Sequence, residues 1–208
     1  MLYPVAAQLL LNTVMDSSPE FEADKALVIE LLMSAFDSNG PPPEEVALDR
    51  SDRSGGADLD ATFRGKRWVD AMVADVALCR FHGPLFTARG FHYYLPAYIL
   101  RTLEDPETTD LAMDMTIYTL EGSVLGTTAF TKPPNFFDDG TGVMFGLFTT
   151  AQSRAVLAFV EFYMKYFSIE FEDEKLRALR EFWLNRSRGR GSLRGRGACR
   201  RSHLADGA

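Results

Sequence analysis

Thr149 stands three residues ahead of Gln152, and behind the pair apolar residues recur at helical spacing: Val156, Phe159, Val160, Tyr163 and Phe167. The pair reads as a capping box, in which each side chain satisfies a backbone donor of the other's turn and so marks where a helix begins. An acidic stretch follows, and then Leu176, Leu179 and Trp183 at steps of three and four. That spacing commits the C-terminal part of the chain to helices packed through an apolar face.

The same period recurs upstream. Between Glu20 and Phe36 the apolar positions Leu27, Ile29, Leu31, Leu32, Ala35 and Phe36 follow acids at Glu20, Glu22 and Asp24, where a helix N-terminus favours negative charge. Asn39-Gly40 and Pro41-Pro42-Pro43 stop this helix, because proline has no backbone donor to give. Trp68, Met72, Val76 and Cys79 then form one helical stripe, which Gly83-Pro84 ends. Thr87 caps a single turn, Pro96 suits the first position of a helix carrying Tyr98, Ile99 and Leu103, and Asp105-Pro106 starts another with Leu111, Met115 and Tyr118 inward.

The resulting fold class is all-α, a compact bundle of about five to six helices around an aromatic core. Residues 1–19 form an N-terminal arm or short helix, residues 20–184 a single helical domain, and residues 185–208 a disordered Arg/Gly-rich tail. Within the domain, residues 37–63 are expected to be a flexible connector, since Glu, Asp, Arg, Ser and Gly dominate from residue 44 and offer little to bury. Gly122 to Phe148, with Pro133-Pro134 and Asp139-Gly140 as turn signals, is a long loop. Its phenylalanines at 130, 136, 137, 145 and 148 predict that it folds back onto the helices.

Charge is divided sharply. From Arg186 onward seven arginines stand against one aspartate, a net of +6, so the chain's −7 leaves −13 on residues 1–185. A body this acidic disfavours nucleic acid or an anionic membrane as its partner. Nucleic acid remains a candidate only for the tail 186–208, through its arginines. Leu9-Leu10-Leu11 is far short of the roughly 20 apolar residues of a membrane span, and no basic segment precedes it as in a secretory signal. Cys79 and Cys199 lie too far apart for a disulfide framework, and a cytoplasmic location fits.

The residue sets that known chemistries need are incomplete. Cys79, His82 and His92 offer three metal ligands at most, whereas a structural zinc site takes four, so no metal and no cofactor is assigned. No Gly-x-Ser-x-Gly motif is present, and Gly140-Thr-Gly142 lacks the lysine of a phosphate loop. Asp110/Asp114 and Asp138/Asp139 are paired carboxylates of the kind that solvated faces and turns carry. No catalytic residue is assigned.

Arg64-Gly-Lys-Arg-Trp68, the block from Leu85 through Phe91-His92-Tyr93-Tyr94-Leu-Pro-Ala-Tyr98 to Leu103-Glu-Asp-Pro106, and Phe148-Thr-Thr-Ala-Gln-Ser153 leading to Phe159-Val-Glu-Phe162 together form a recognisable set. Over about residues 25–167 the chain resembles the bacterial domain-of-unknown-function family 6714. The resemblance implies a small helical domain and brings no activity with it.

The leading expectation is therefore a non-enzymatic module that binds an unidentified protein, in one version a basic one drawn by the acidic body, through Phe91, His92, Tyr93, Tyr94, Tyr98, Phe136 and Phe137. The competing expectation is a small hydrolase-like enzyme in which His82 and His92 converge with a carboxylate from Asp110 or Asp114.

Overall fold

Ser18 opens the first helix by accepting a hydrogen bond from the Phe21 amide at 3.1 Å, with Pro19 at the first position and acids at Glu20 and Glu22 in the first turn. The computed structural model describes residues 18–48, 55–125, 145–168 and 173–189. Among them stand eight α-helices: α1 Pro19–Phe36, α2 Gly56–Phe63, α3 Val73–Leu78, α4 Ala88–Glu104, α5 Pro106–Thr109, α6 Ala112–Leu125, α7 Thr150–Tyr166 and α8 Asp173–Ser187. The all-α class expected from the apolar spacing is what the chain adopts. Five long helices (α1, α4, α6, α7 and α8) make the bundle, and three short ones bridge its parts. No helix of the described residues is long and apolar enough to cross a membrane.

α7 is the axis of one half, with α1 and α8 packed along it. Its capping box forms as the sequence predicts: Thr149 Oγ1 accepts from the Gln152 amide at 3.1 Å, and Gln152 Oε1 accepts from the Thr149 amide at 2.9 Å. Val156, Phe159, Val160 and Tyr163 are buried, as are Leu176, Leu179 and Trp183 on α8. The predicted tail boundary at 185 moves outward. α8 runs to Ser187 because the Arg186 guanidinium donates to the Phe145 and Phe148 carbonyls, while Arg154 Nε donates to the Ser187 carbonyl at 3.3 Å.

α4 departs from expectation in one respect. Thr87 caps the whole of Ala88–Glu104, and Pro96 lies inside it rather than at its start. Proline at that position denies the His92 carbonyl its helical donor. Burial of nearly every residue from Phe91 to Leu103 offsets that loss, since the helix is held from all sides rather than by propensity. Arg101 ties it to the preceding turn, donating to the Ala71 carbonyl at 2.6 Å and the Val69 carbonyl at 2.9 Å.

Three further segments differ from the pattern reading. The stripe Trp68–Cys79 is not one helix: Trp68–Asp70 is a 3₁₀ turn, α3 starts only at Val73, and Met72 is exposed at its cap, where Asp75 accepts from the Met72 amide at 2.8 Å. Residues 37–48 and 55–63 are packed where a flexible connector was expected. Val46, Ala47, Leu59 and Phe63 are buried, Ala47 bridges to Phe86, and Thr87 donates through its amide to the Val46 carbonyl and through its hydroxyl to the Glu45 carbonyl. Four of the few apolar residues of this segment go to the core, while Leu48 stays exposed, which is why a low count misled.

The segment after Asp105 breaks once more. α5 ends at Thr109, Asp110 takes a left-handed φ of 49°, and α6 starts afresh at Ala112. The break shifts the helical register, so Ala112, Met113, Thr116, Ile117 and Leu120 face inward and Leu111 is exposed. α6 also continues to Leu125, past the predicted loop start at Gly122. Phe145 and Phe148 do pack on the helices, with ring centroids 5.4 and 5.2 Å from Trp183. Phe130, Phe136, Phe137, Asp138 and Asp139 lie outside the described residues.

Gly90 marks where α4 presses on residues 45–47, since a Cβ there would fall 2.6 Å from the Val46 carbonyl oxygen. Gly90→Ala gains about 1 kcal/mol of helix propensity. The clash outweighs it, so the variant should unfold at lower urea than the native chain with an unchanged m-value.

Candidate functional site

The aromatic block singled out from the sequence is core, not surface. Phe91, Tyr93, Tyr94 and Tyr98 are buried, Tyr94 completely. Tyr94 stacks between Phe63 and Phe86, its ring centroid 4.9 and 5.9 Å from theirs, and its hydroxyl reaches the carbonyls of Phe63 and Lys66. Tyr98 donates to the Cys79 carbonyl at 2.9 Å. Burial pushes both phenols well above their ordinary range, so they act as donors and not as acids. The hydroxyls of Tyr94 and Tyr98 are thus used internally.

His92 points the other way and joins three helices. Its ring packs against Phe148 at 4.7 Å and Phe36 at 6.0 Å, and its Nε2 lies 3.1 Å from Gln152 Oε1. That oxygen already accepts from the Thr149 amide, and the Gln152 amide nitrogen donates to Asn39 Oδ1 at 2.9 Å. With Gln152 oriented by both bonds, Nε2 of His92 carries the proton and donates, a tautomer assigned from the network. The hub fastens the end of α1, the first half of α4 and the start of α7. Burial lowers the His92 pKa against the opposing pull of Gln152, so the ring is neutral.

The remaining candidate groups go to separate places. His82 sits against Gly55, where a Cβ would fall 2.7 Å from its Nε2, and burial lowers its pKa while Asp58 opposes. Asp110 pairs with Arg80 at 3.8 Å. Asp114 accepts from the Tyr163 hydroxyl at 2.9 Å, and burial raises its pKa despite that bond. Among the described residues no hydrogen bond joins any two of His82, His92, Asp110 and Asp114, so the hydrolase-like constellation is not assembled. Cys79 is a buried free thiol pushed up to about 11 by its surroundings. No group of three or more His, Cys, Asp or Glu among the described residues could hold a metal ion.

Large apolar side chains are exposed at Leu27 and Met33 on α1, at Leu48 and at Met72, and at three further positions. Leu78 at the end of α3 is 63% exposed, Phe81 in the turn behind it 49%, and Leu111 in the break before α6 42%. Each lies within two residues of a member of the Arg80–Asp110 pair. Arg80 donates to the Ala77 carbonyl at 2.7 Å and holds its guanidinium 5.0 Å from the Phe81 ring centre, while α5, the element before Asp110, packs on α3. Sequence reasoning missed this face for a specific reason. Leu111 was given an inward position by continuing a helix that Asp110 interrupts, and Leu78 and Phe81 fall just off the Trp68–Cys79 stripe.

Residues 34–187 match a protein-family model described as "Family of unknown function (DUF6714)". The chain belongs to this family. No curated protein and no solved structure matches it. The DUF6714 match starts in the last turn of α1 and ends on the last residue of α8, so it holds both the His92 hub and the Leu78–Phe81–Leu111 face. It also reaches 20 residues beyond the expected limit at 167, taking in α8 and Trp183.

Both histidines are held neutral in the fold, so their contribution to stability is complete above about pH 6.5, the unfolded reference, and is lost as pH falls below it. Unfolding free energy measured in urea should therefore drop between pH 7 and pH 5. His92→Phe, which keeps the aromatic contacts and removes one titrating group, should make that slope shallower; an unchanged slope would show that His92 does not contribute.

Proposed function

We propose that this DUF6714 domain is a non-enzymatic protein-interaction module that binds through Leu78, Phe81 and Leu111. One observation carries the reading: three large apolar side chains, each more than two-fifths exposed, stand within two residues of Arg80 or Asp110, which pair at the junction of α3, α5 and α6. Apolar anchors with a polar pair among them are the composition of a protein contact face, in which a few large side chains carry most of the affinity.

Charge defines the partner further. Glu107 and Asp110 are exposed beside the face, and residues 1–185 carry −13. A partner with an apolar segment flanked by Lys or Arg gains from both. The anchors supply residence time, and the acidic field raises the association rate in a salt-dependent way. His92, Tyr94 and Tyr98 serve this function only by holding the helices that present the face.

The test is capture from the native host with the full chain as bait, in three versions. The native chain and Leu27→Asp, which alters an exposed leucine on α1 away from the face, should recover the same protein. Leu78→Asp combined with Phe81→Asp should reduce recovery at least tenfold, since an anchor side chain is worth about 2 kcal/mol or more. Equal recovery by all three would refute the reading.

A further inference from the structure

Four asparagines occur in the chain, at positions 12, 39, 135 and 185, and of these Asn39 alone is followed by glycine. The other three precede Thr13, Phe136 and Arg186, whose side chains crowd their own amide nitrogens. A glycine amide carries no such obstacle, so it reaches the side-chain carbonyl carbon of the residue before it at the least steric cost. Gly40 is exposed, and a Cβ built on it would meet nothing within 4 Å. Its amide donates in none of the backbone hydrogen bonds among the described residues. The nitrogen next to Asn39 is thus open and untied.

Asn39 itself is held as an activated carbonyl is held. Its Oδ1 accepts from Gln152 Nε2 at 2.9 Å, and Gln152 is fixed in turn by Thr149 and His92. A fixed donor on that oxygen draws electrons from Cγ and stands where negative charge grows during attack. The side-chain nitrogen is the opposite case. Asn39 Nδ2 is buried without a hydrogen-bond partner, so its departure breaks nothing but its own bond to Cγ. A polarised carbonyl, an unbound leaving nitrogen and an open nucleophile are separate observations on two adjacent residues.

From this arrangement we infer that Asn39 is a site of hydrolytic self-modification, where deamidation through Gly40 weakens the joint of α1, α4 and α7. Hydroxide removes the Gly40 amide proton, and the nitrogen attacks Asn39 Cγ. The new bond closes a succinimide ring while the Cγ–Nδ2 bond breaks, and Nδ2 leaves as ammonia, taking a proton from water. Water then opens either ring carbonyl, giving aspartate or isoaspartate at position 39. The net change consumes one water, releases one ammonia and needs no oxidant or reductant. Neither product restores the joint. One carboxylate oxygen of the aspartate keeps the Gln152 donor, but the other takes the place of the buried, unpartnered Nδ2, where charge is costly. The isoaspartate adds a methylene to the main chain between Gly40 and the Asn39 amide, which donates to the Phe36 carbonyl at 3.0 Å. The site is independent of the Leu78–Phe81–Leu111 face.

The test holds the full chain under folding conditions at mildly alkaline pH and follows each asparagine by peptide mass spectrometry, with isoaspartate distinguished by electron-transfer fragmentation. The expected result is conversion at Asn39, in both product forms, at least tenfold faster than at Asn185 and slowed at least tenfold by Gly40→Ala, which the open site accommodates. Chain enriched in the product should unfold at lower urea, its unfolding equilibrium shifted at least fivefold, and Asn39→Asp should reproduce the aspartate part of that shift. Asn39 left intact in the folded chain, or converting at the same rate in Gly40→Ala, would overturn the modification site. Product chain as stable as fresh chain would overturn its effect on the joint, and that comparison uses the native sequence whether or not Asn39→Asp folds.

Discussion

A tyrosine can be buried only if its hydroxyl finds an acceptor, and the rest of this fold is arranged around meeting that demand twice on one helix. Tyr94 and Tyr98, one turn apart on α4, reach the carbonyls of Phe63, Lys66 and Cys79. Those carbonyls belong to the end of α2, the turn before Trp68 and the end of α3, so two hydroxyls fix three short elements with little hydrogen bonding of their own. Leaving such acceptors without donors in the core would cost about 1–3 kcal/mol each. Short helices, weak in isolation, thereby become parts of one core with Phe63 and Phe86 stacked around the tyrosine rings.

The second half of the bundle uses the same economy with an amide. Gln152 closes the capping box of α7, accepts from His92 on α4 and donates to Asn39 beyond α1. A signal normally read as local, the start of one helix, is here a tertiary joint. The aromatic shell of Phe36, Phe148 and Trp68 around it keeps water away, which strengthens each of these bonds and also makes a charge on His92 unwelcome.

This division explains what the sequence made legible. Elements with local signals were readable: the Thr149–Gln152 box, the Asp105–Pro106 start, and the Leu176–Leu179–Trp183 stripe. Elements held by distant partners were not. Nothing near Pro96 says that a helix will run through it, because what stabilises α4 there is contributed by residues 19 to 31 positions away. Likewise Val46, Ala47, Leu59 and Phe63 look too sparse to order a segment until the cavity between α4 and its neighbours is known. Periodicity also assumes an unbroken helix, and the φ of Asp110 violates that assumption at one residue.

That single violation is what separates core from surface. Had α5 and α6 been one helix, Leu111, Met115 and Tyr118 would have lain on one inward stripe. The positive φ of Asp110, a conformation that carries an energetic cost for any residue but glycine, instead turns Leu111 outward and brings the Asp110 carboxylate to Arg80 beside Phe81 and Leu78. Strain at a helix junction is easily selected against when it serves only packing, since a residue free of it would fold as well. Here it leaves Leu111 uncovered next to the Arg80–Asp110 pair, with the exposed Phe81 beside Arg80, and the proposed function rests on that break in the helix.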